Sequence, residues 1–180
     1  MVRVDPVEQE PDERLLLALL NSTPVVRAES VDELADNQTG RNWLREWGGL
    51  GTATELAAAR AVRADLQTVV RRERSADVLG RHIAGVAQVP AAVDGRLAWR
   101  LAAEPERMLA ARAVLAFFAL TEQAPGRLRP CENDACRLFL IDHSRAGSAR
   151  WCSMAVCGNR MKARRHAGRL RGIGGAPTSA

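Results

Sequence analysis

Four cysteines are the residues whose types and spacing most clearly predict chemistry in this chain. They form two pairs near the C-terminus, Cys131 with Cys136 and Cys152 with Cys157, and each pair encloses four residues. Fifteen residues separate the pairs, and the rest of the 180-residue chain contains no cysteine. Two such pairs, presented by two short turns, match the soft ligand set of a tetrahedral Zn²⁺ site. The pattern predicts one structural zinc ion and assigns the cysteines no catalytic role.

The flanking sequence predicts how the first pair is positioned. Cys131 and Cys136 lie in a short turn that resembles a zinc knuckle, and the apolar run 138–141 predicts a strand after it. The turn Asp142–Gly147 would then lead toward the second pair.

The second pair is expected at the start of a helix. Ser153 is placed to cap a helix over residues 154–170, with Cys157 in its first turn. A knuckle followed by a helix start is the ligand layout of a treble-clef finger, which we expect over residues 127–171. Asp142, Ser153 and Asn159 are expected to support the metal ligands by hydrogen bonding around them.

The finger segment is also strongly basic. Residues 127–172 hold eleven Lys and Arg against three acids, a net charge of +8, while the whole chain carries +5 and the remainder therefore −3. The basic residues of the predicted helix are Arg160, Lys162, Arg164, Arg165 and Arg169. A helix of this charge can enter the major groove of DNA or lie along its phosphates. Because the segment lacks interleaved aromatic residues suited to stacking on the bases of single strands, double-stranded DNA is favoured over RNA.

The sequence of residues 12–125 predicts a mostly helical α+β domain with one small β-hairpin. Ser30-Val31-Asp32-Glu33 and Thr52-Ala53-Thr54-Glu55 both have the capping-box pattern that starts a helix. Asp94-Gly95 between two short apolar runs predicts the hairpin turn. Pro125-Gly126 ends the domain, and residues 172–180 predict a flexible tail. We expect this domain to sense a small-molecule effector or to form a homodimer.

The N-terminal sequence bears on the compartment. No apolar run approaches the roughly 20 residues that span a bilayer, and the acidic start MVRVDPVEQEPDE lacks the apolar core of a signal peptide. We therefore expect a cytoplasmic protein without a membrane partner, where reduced thiols favour metal binding over disulfides.

The run Cys157-Gly158-Asn159-Arg160, with the upstream cysteines, Phe139, Asp142, Ser144 and Arg150, resembles the signature of CGNR zinc-finger proteins. The resemblance implies an N-terminal ABATE domain, to which Leu19-Leu20-Asn21-Ser22 and Trp43-Leu44 are similar, followed by a zinc finger. It also implies a role as a stress-induced transcription regulator, so we expect a zinc-binding, DNA-binding regulator and no enzyme.

Two alternatives stay open from the residues alone. The finger could be a structural or protein-interaction module that serves a ligand-binding N-terminal domain. Alternatively, His143, Asn159 and His166 occur in the order of an HNH nuclease site on a treble-clef scaffold.

Overall fold

The computed structural model describes residues 3–6, 9–26 and 29–173, and it combines helices with small antiparallel sheets. The helices are α1 (Gln9–Leu20), α2 (Gln38–Glu46), α3 (Ala53–Val70), α4 (Gly80–Ile83), α5 (Met108–Gln123) and α6 (Asn159–Ile173), with 3₁₀ turns at Ala76–Leu79 and Pro105–Arg107 and a π-helical turn at Met154–Gly158. The strands are β1 (Arg3–Pro6), β2 (Val25–Val26), β3 (Glu29–Ser30), β4 (Ala87–Val93), β5 (Arg96–Ala103), β6 (Leu128–Pro130) and β7 (Phe139–Ile141). No described helix is long and apolar enough to cross a membrane.

The main core lies between α1, α3 and α5. Leu16 of α1, Leu66 of α3 and Val114 of α5 are completely buried within it. The capping box at Thr52 is confirmed as the start of α3, because the Thr52 hydroxyl accepts a hydrogen bond of 3.1 Å from the Glu55 amide. The Glu55 carboxylate accepts from the amides of Leu50 and Gly51.

The capping box at Ser30 is wrong as a helix start, because Ser30 ends β3. Asp32 forms an ion pair with the buried Arg63 of α3, at 3.0 Å between Arg63 Nη2 and Asp32 Oδ2. Asp32 also accepts a hydrogen bond from the Leu34 amide. This tertiary pair fixes a turn where local sequence favours a helix. Helix α2 begins after Asn37, whose side chain accepts from the Gly40 amide at 3.1 Å.

The predicted hairpin is confirmed as β4 and β5. Asp94 and Gly95 form its turn with φ angles of 48° and 71°, the positive values that a tight turn of this kind requires. Strand β1 adds to the far side of β5, so the sheet has the order β1-β5-β4. A strand of four residues such as β1 has too short a pattern to be recognised from the sequence without its partner.

Strands β6 and β7 form a hairpin that packs against α1 and α3. Phe139 of β7 is 1% exposed and belongs to the main core. The Asn21 side chain, just after α1, holds the backbone of Phe139 from both sides: its Oδ1 accepts from the Phe139 amide at 2.7 Å, and its Nδ2 donates to the Phe139 carbonyl at 3.2 Å. The finger segment thus shares its packing with the N-terminal helices. Most of the predicted flexible tail, residues 174–180, lies outside the described residues.

Candidate metal centre

The four cysteines converge at one point of the structure. Their Sγ atoms all lie within 4.8 Å of one another, and two of the separations are 3.7 Å (Cys136 to Cys152) and 3.6 Å (Cys152 to Cys157). A tetrahedral zinc ion with Zn–S bonds of about 2.3 Å requires S···S separations of about 3.8 Å. All four thiols are free, so the residues present fit one structural zinc ion.

The first pair is delivered by the turn that links β6 to β7. The Cys131 amide donates to the Leu138 carbonyl at 2.9 Å, which closes the turn, and the Cys136 amide donates to the Asn133 carbonyl at 2.7 Å. The two thiols are thereby brought to the same side of a compact loop, as a zinc knuckle requires.

The second pair lies around a π-helical turn at the start of α6: Cys157 is within the turn, and Cys152 immediately precedes the serine that caps it. Ser153 caps it as predicted, accepting from the Val156 amide at 3.3 Å, and the Gly158 amide donates to the Ser153 carbonyl at 3.0 Å. A Cβ at Gly158 would lie 2.8 Å from the sulfur of Met154, so this exposed side chain would have to move to admit any other residue. The turn places Cys157, which is 3% exposed, toward the other three thiols.

Asn133 is the side chain that supports the ligand cluster, and sequence reasoning missed it. It is fully buried in the knuckle, and its Nδ2 donates to Cys157 Sγ at 3.3 Å while its Oδ1 accepts from the Ala135 amide. Burial opposes ionisation of Cys157, yet the hydrogen bonds from Asn133 and the neighbouring thiols hold the pKa of this thiol below its usual value. The sequence does contain a signal for this role, because Asn133 lies between the paired cysteines and its amide can donate the N–H hydrogen bond that a thiolate needs.

The other two thiols with shifted pKa values behave differently. Burial raises the pKa of Cys136 and of Cys152. Zinc must therefore displace protons on binding, and zinc affinity should fall as the pH is lowered.

We expect Asn133→Ala to weaken zinc binding about 10- to 100-fold, because the Cys157 thiolate loses its buried N–H donor. Competition with a colorimetric chelator measures this affinity. Asn159→Ala is the matched control, since the Asn159 side chain donates only to the Ala155 carbonyl, at 3.2 Å, and not to sulfur. Equal zinc affinities for the two variants would refute the role of Asn133.

Asp142, predicted to support the ligands, organises the loop between the two pairs instead. Its side chain is fully buried, and it accepts from the amides of Ser144 and Ala149, both at 2.9 Å, and from Arg129. A hydrogen bond from the Ser144 side chain, these amides and the charge of Arg129 lower the pKa of Asp142 to about 2. The carboxylate is therefore ionised at neutral pH, and it fixes the path of the chain toward Cys152.

Seven basic residues of the finger segment fall into two groups. Arg127 and Arg129 hold the loop around Asp142, and Arg150 pairs with Glu132 and stacks on Trp151. The second group comprises exposed side chains on α6 for which the described residues offer no carboxylate partner: Arg160, Lys162, Arg164 and Arg165. The side chain of Arg169, predicted as a fifth contact, lies outside the described part of the chain.

All three residues of the HNH pattern, His143, Asn159 and His166, are exposed. His143 is 72% exposed and lies 3.5 Å from the Glu13 carboxylate, while His166 is exposed on α6. Among the described side chains, the four cysteines alone form a group of three or more metal-type ligands.

The comparison with known families agrees with the cluster. Residues 127–170 match the model of the CGNR zinc finger, a range that contains all four cysteines and the first twelve residues of α6. None of the curated proteins matches the chain. The match begins at residue 127, so the ABATE-like character of the preceding residues stays a prediction. Segment 127–170 is similar to the CGNR zinc finger, and its cysteines fit one structural zinc ion.

Proposed function

We propose that the chain is a DNA-binding transcription regulator in which zinc positions α6 for contact with duplex DNA. The observation that carries the proposal is the set of four exposed cations on α6 that have no ion-pair partner in the described chain. Arginines used to stabilise a fold are paired, as Arg129 is with Asp142. Cations left unpaired on one element favour a polyanion partner.

The surroundings of α6 support the same partner. All described side chains from Lys162 to Ala167 are exposed, so this stretch is not covered by the N-terminal helices. An α-helix with its side chains is about 10–12 Å wide, which fits the major groove of B-DNA, about 12 Å wide. Zinc would supply only structure here, because its four ligand positions are taken by cysteines.

A structural module is the second candidate function. It is favoured by Phe139, which lies in the main core, and by Asn21, which holds the backbone of that residue. In this alternative the finger would stabilise the N-terminal helices, and the exposed cations would face solvent. Sensing of a small molecule, homodimerisation and a cytoplasmic location stay predictions.

Charge reversal on α6 tests the proposal. We expect Arg164→Glu/Arg165→Glu to weaken duplex binding on the order of 10- to 100-fold, because two phosphate contacts become repulsive. The wild-type slope of log K against log salt should be about −3 to −4 for four cations, and the variant should lose about two units of it. Fluorescence anisotropy of a labelled duplex at several salt concentrations measures both quantities.

The matched control is Arg14→Glu/Arg96→Glu, which makes the same change in net charge at two exposed arginines outside the finger. Its affinity should stay within about twofold of the wild type at physiological salt. Equal losses in the two double variants would show that only net charge matters. Unchanged affinity in the α6 variant would favour the structural module.

A further inference from the structure

Arg72 occupies a backbone position that normally belongs to glycine. It follows α3 with a φ angle of 63°, in the left-handed region that side chains with a Cβ rarely adopt. The Arg72 amide donates to the Val69 carbonyl, and the Glu73 amide donates to the Thr68 carbonyl, both at 2.9 Å. These two bonds define a Schellman motif, in which glycine is the usual residue at the position of Arg72.

Within the described chain, no hydrogen bond or ion pair favours an arginine side chain at this position. Its side chain is exposed and makes no hydrogen bond or ion pair there. Its neighbours do have such contacts: Arg71 lies over the Phe139 ring at 4.6 Å, and Arg74 pairs with Asp65 at 3.5 Å. These neighbours already place positive charge at the C-terminus of α3, so the helix dipole does not require Arg72.

Arg72 also lies at the junction between α3 and the finger. It lines a cleft of about 570 Å³ whose opposite wall includes Arg129, Pro130 and Cys131 of the finger. The Arg71 guanidinium bridges the junction by donating to the Arg137 carbonyl at 3.3 Å. Arg137 in turn lines a second cleft together with Arg160, the first cation of α6.

Exposed arginines therefore line both clefts between α6 and the end of α3. The same clefts also carry two exposed acids, Asp134 in the cleft of Arg160 and Glu132 in the cleft of Arg72, and Glu132 is paired with Arg150. Arg72, Arg137 and Arg160 are all exposed, and no carboxylate of the described chain pairs with any of them. The Schellman bonds hold Arg72 in the left-handed conformation, and non-glycine residues held in this way cluster at functional sites.

We propose that Arg72 is a phosphate-binding residue through which the N-terminal part of the chain contacts the DNA backbone beside the groove that α6 enters. The inference rests on the proposed function and extends the DNA-binding surface beyond the finger. The partner chemistry is the phosphate diester of duplex DNA, bound without base recognition, since an exposed arginine at this junction offers charge and no groove-filling element.

Arg72→Gly separates the proposal from a structural role, because the two make opposite predictions for stability and binding. Glycine relieves the left-handed strain, so the melting temperature should rise by about 2–4 °C. The same variant should bind duplex DNA about 3- to 10-fold more weakly, with the salt slope reduced by about one unit. Arg72→Lys keeps the charge and should retain most of the affinity, whereas Arg96→Gln is the control for loss of one distant positive charge.

The result that overturns the inference is unchanged affinity and salt slope in Arg72→Gly, or a melting temperature that falls. If Arg164→Glu/Arg165→Glu loses binding while Arg72→Gly does not, the proposed function stands and this extension fails. If the wild-type chain shows no salt-dependent duplex binding, both fail.

Discussion

Phe139→Ala should lower the free energy of unfolding of the zinc-loaded chain by about 3–5 kcal/mol, the usual cost of truncating a buried aromatic side chain to alanine. Phe139 is 1% exposed, yet it lies in the finger segment between the two cysteine pairs. Its ring packs among the leucines of the main core and beneath the Arg71 guanidinium. The truncation would leave a cavity at the junction of the finger and the N-terminal helices.

The Phe139 variant also tests whether the two parts unfold together. Asn21 of the N-terminal part is hydrogen-bonded to the Phe139 backbone, so we expect both parts to unfold in one transition. Loss of the ring should lower the urea concentration at the midpoint of that transition. Urea unfolding followed by circular dichroism measures the free energy and the number of transitions. Phe118→Ala makes the same truncation at a half-buried position of α5 and should cost clearly less.

A cost below about 1 kcal/mol for Phe139→Ala, or a cost equal to that of Phe118→Ala, would contradict this packing. Two separate transitions in the wild type, with only one of them shifted by the variant, would show that the finger folds independently of the helices.

Cys157→Ser should abolish stoichiometric zinc binding, and α6 should lose the anchor that holds it in place. Structural zinc sites of this kind release about 10–16 kcal/mol on binding, and a serine hydroxyl is a poor replacement for a thiolate. Cys157 lies in the turn that leads directly into α6. Isolated helices of about 15 residues are marginal in water, so α6 depends on this anchor.

Elemental analysis and far-ultraviolet circular dichroism measure the two consequences. The wild type should contain one zinc ion per chain, and Cys157→Ser should contain almost none and lose helical signal. Ser153→Ala is the control in the same turn: it removes the N-cap, at a cost of about 1 kcal/mol, and should keep its zinc. A Cys157→Ser variant with full zinc content would refute the assignment of the fourth ligand.

Local sequence signals predicted the features whose cause is local. The cysteine spacing located the metal centre, Thr52 located the start of α3, and Asp94-Gly95 located the hairpin turn. In each case a few neighbouring residues determine the structure by their own hydrogen bonding or backbone preference. The helix predicted over 154–170 is also present, as a π-helical turn followed by α6.

Features that depend on distant partners were not predictable in this way. Ser30 begins no helix because Asp32 pairs with Arg63, thirty-one residues away. Strand β1 exists through its pairing with β5, and the burial of Phe139 depends in part on α1, which ends more than a hundred residues earlier. The charge excess of residues 127–172 likewise could not separate the arginines that hold Asp142 from those exposed on α6, because only the folded chain sorts them.

The dependence of duplex binding on zinc occupancy tests the central claim most directly. The metal-free, reduced chain is titrated with zinc in the presence of a labelled mixed-sequence duplex, and anisotropy is recorded at each step. We expect binding to grow in proportion to zinc, to saturate at one ion per chain, and to weaken as salt increases. Equal binding by the metal-free chain, or no binding by the zinc-loaded chain at low salt, would contradict the claim that zinc positions α6 for DNA.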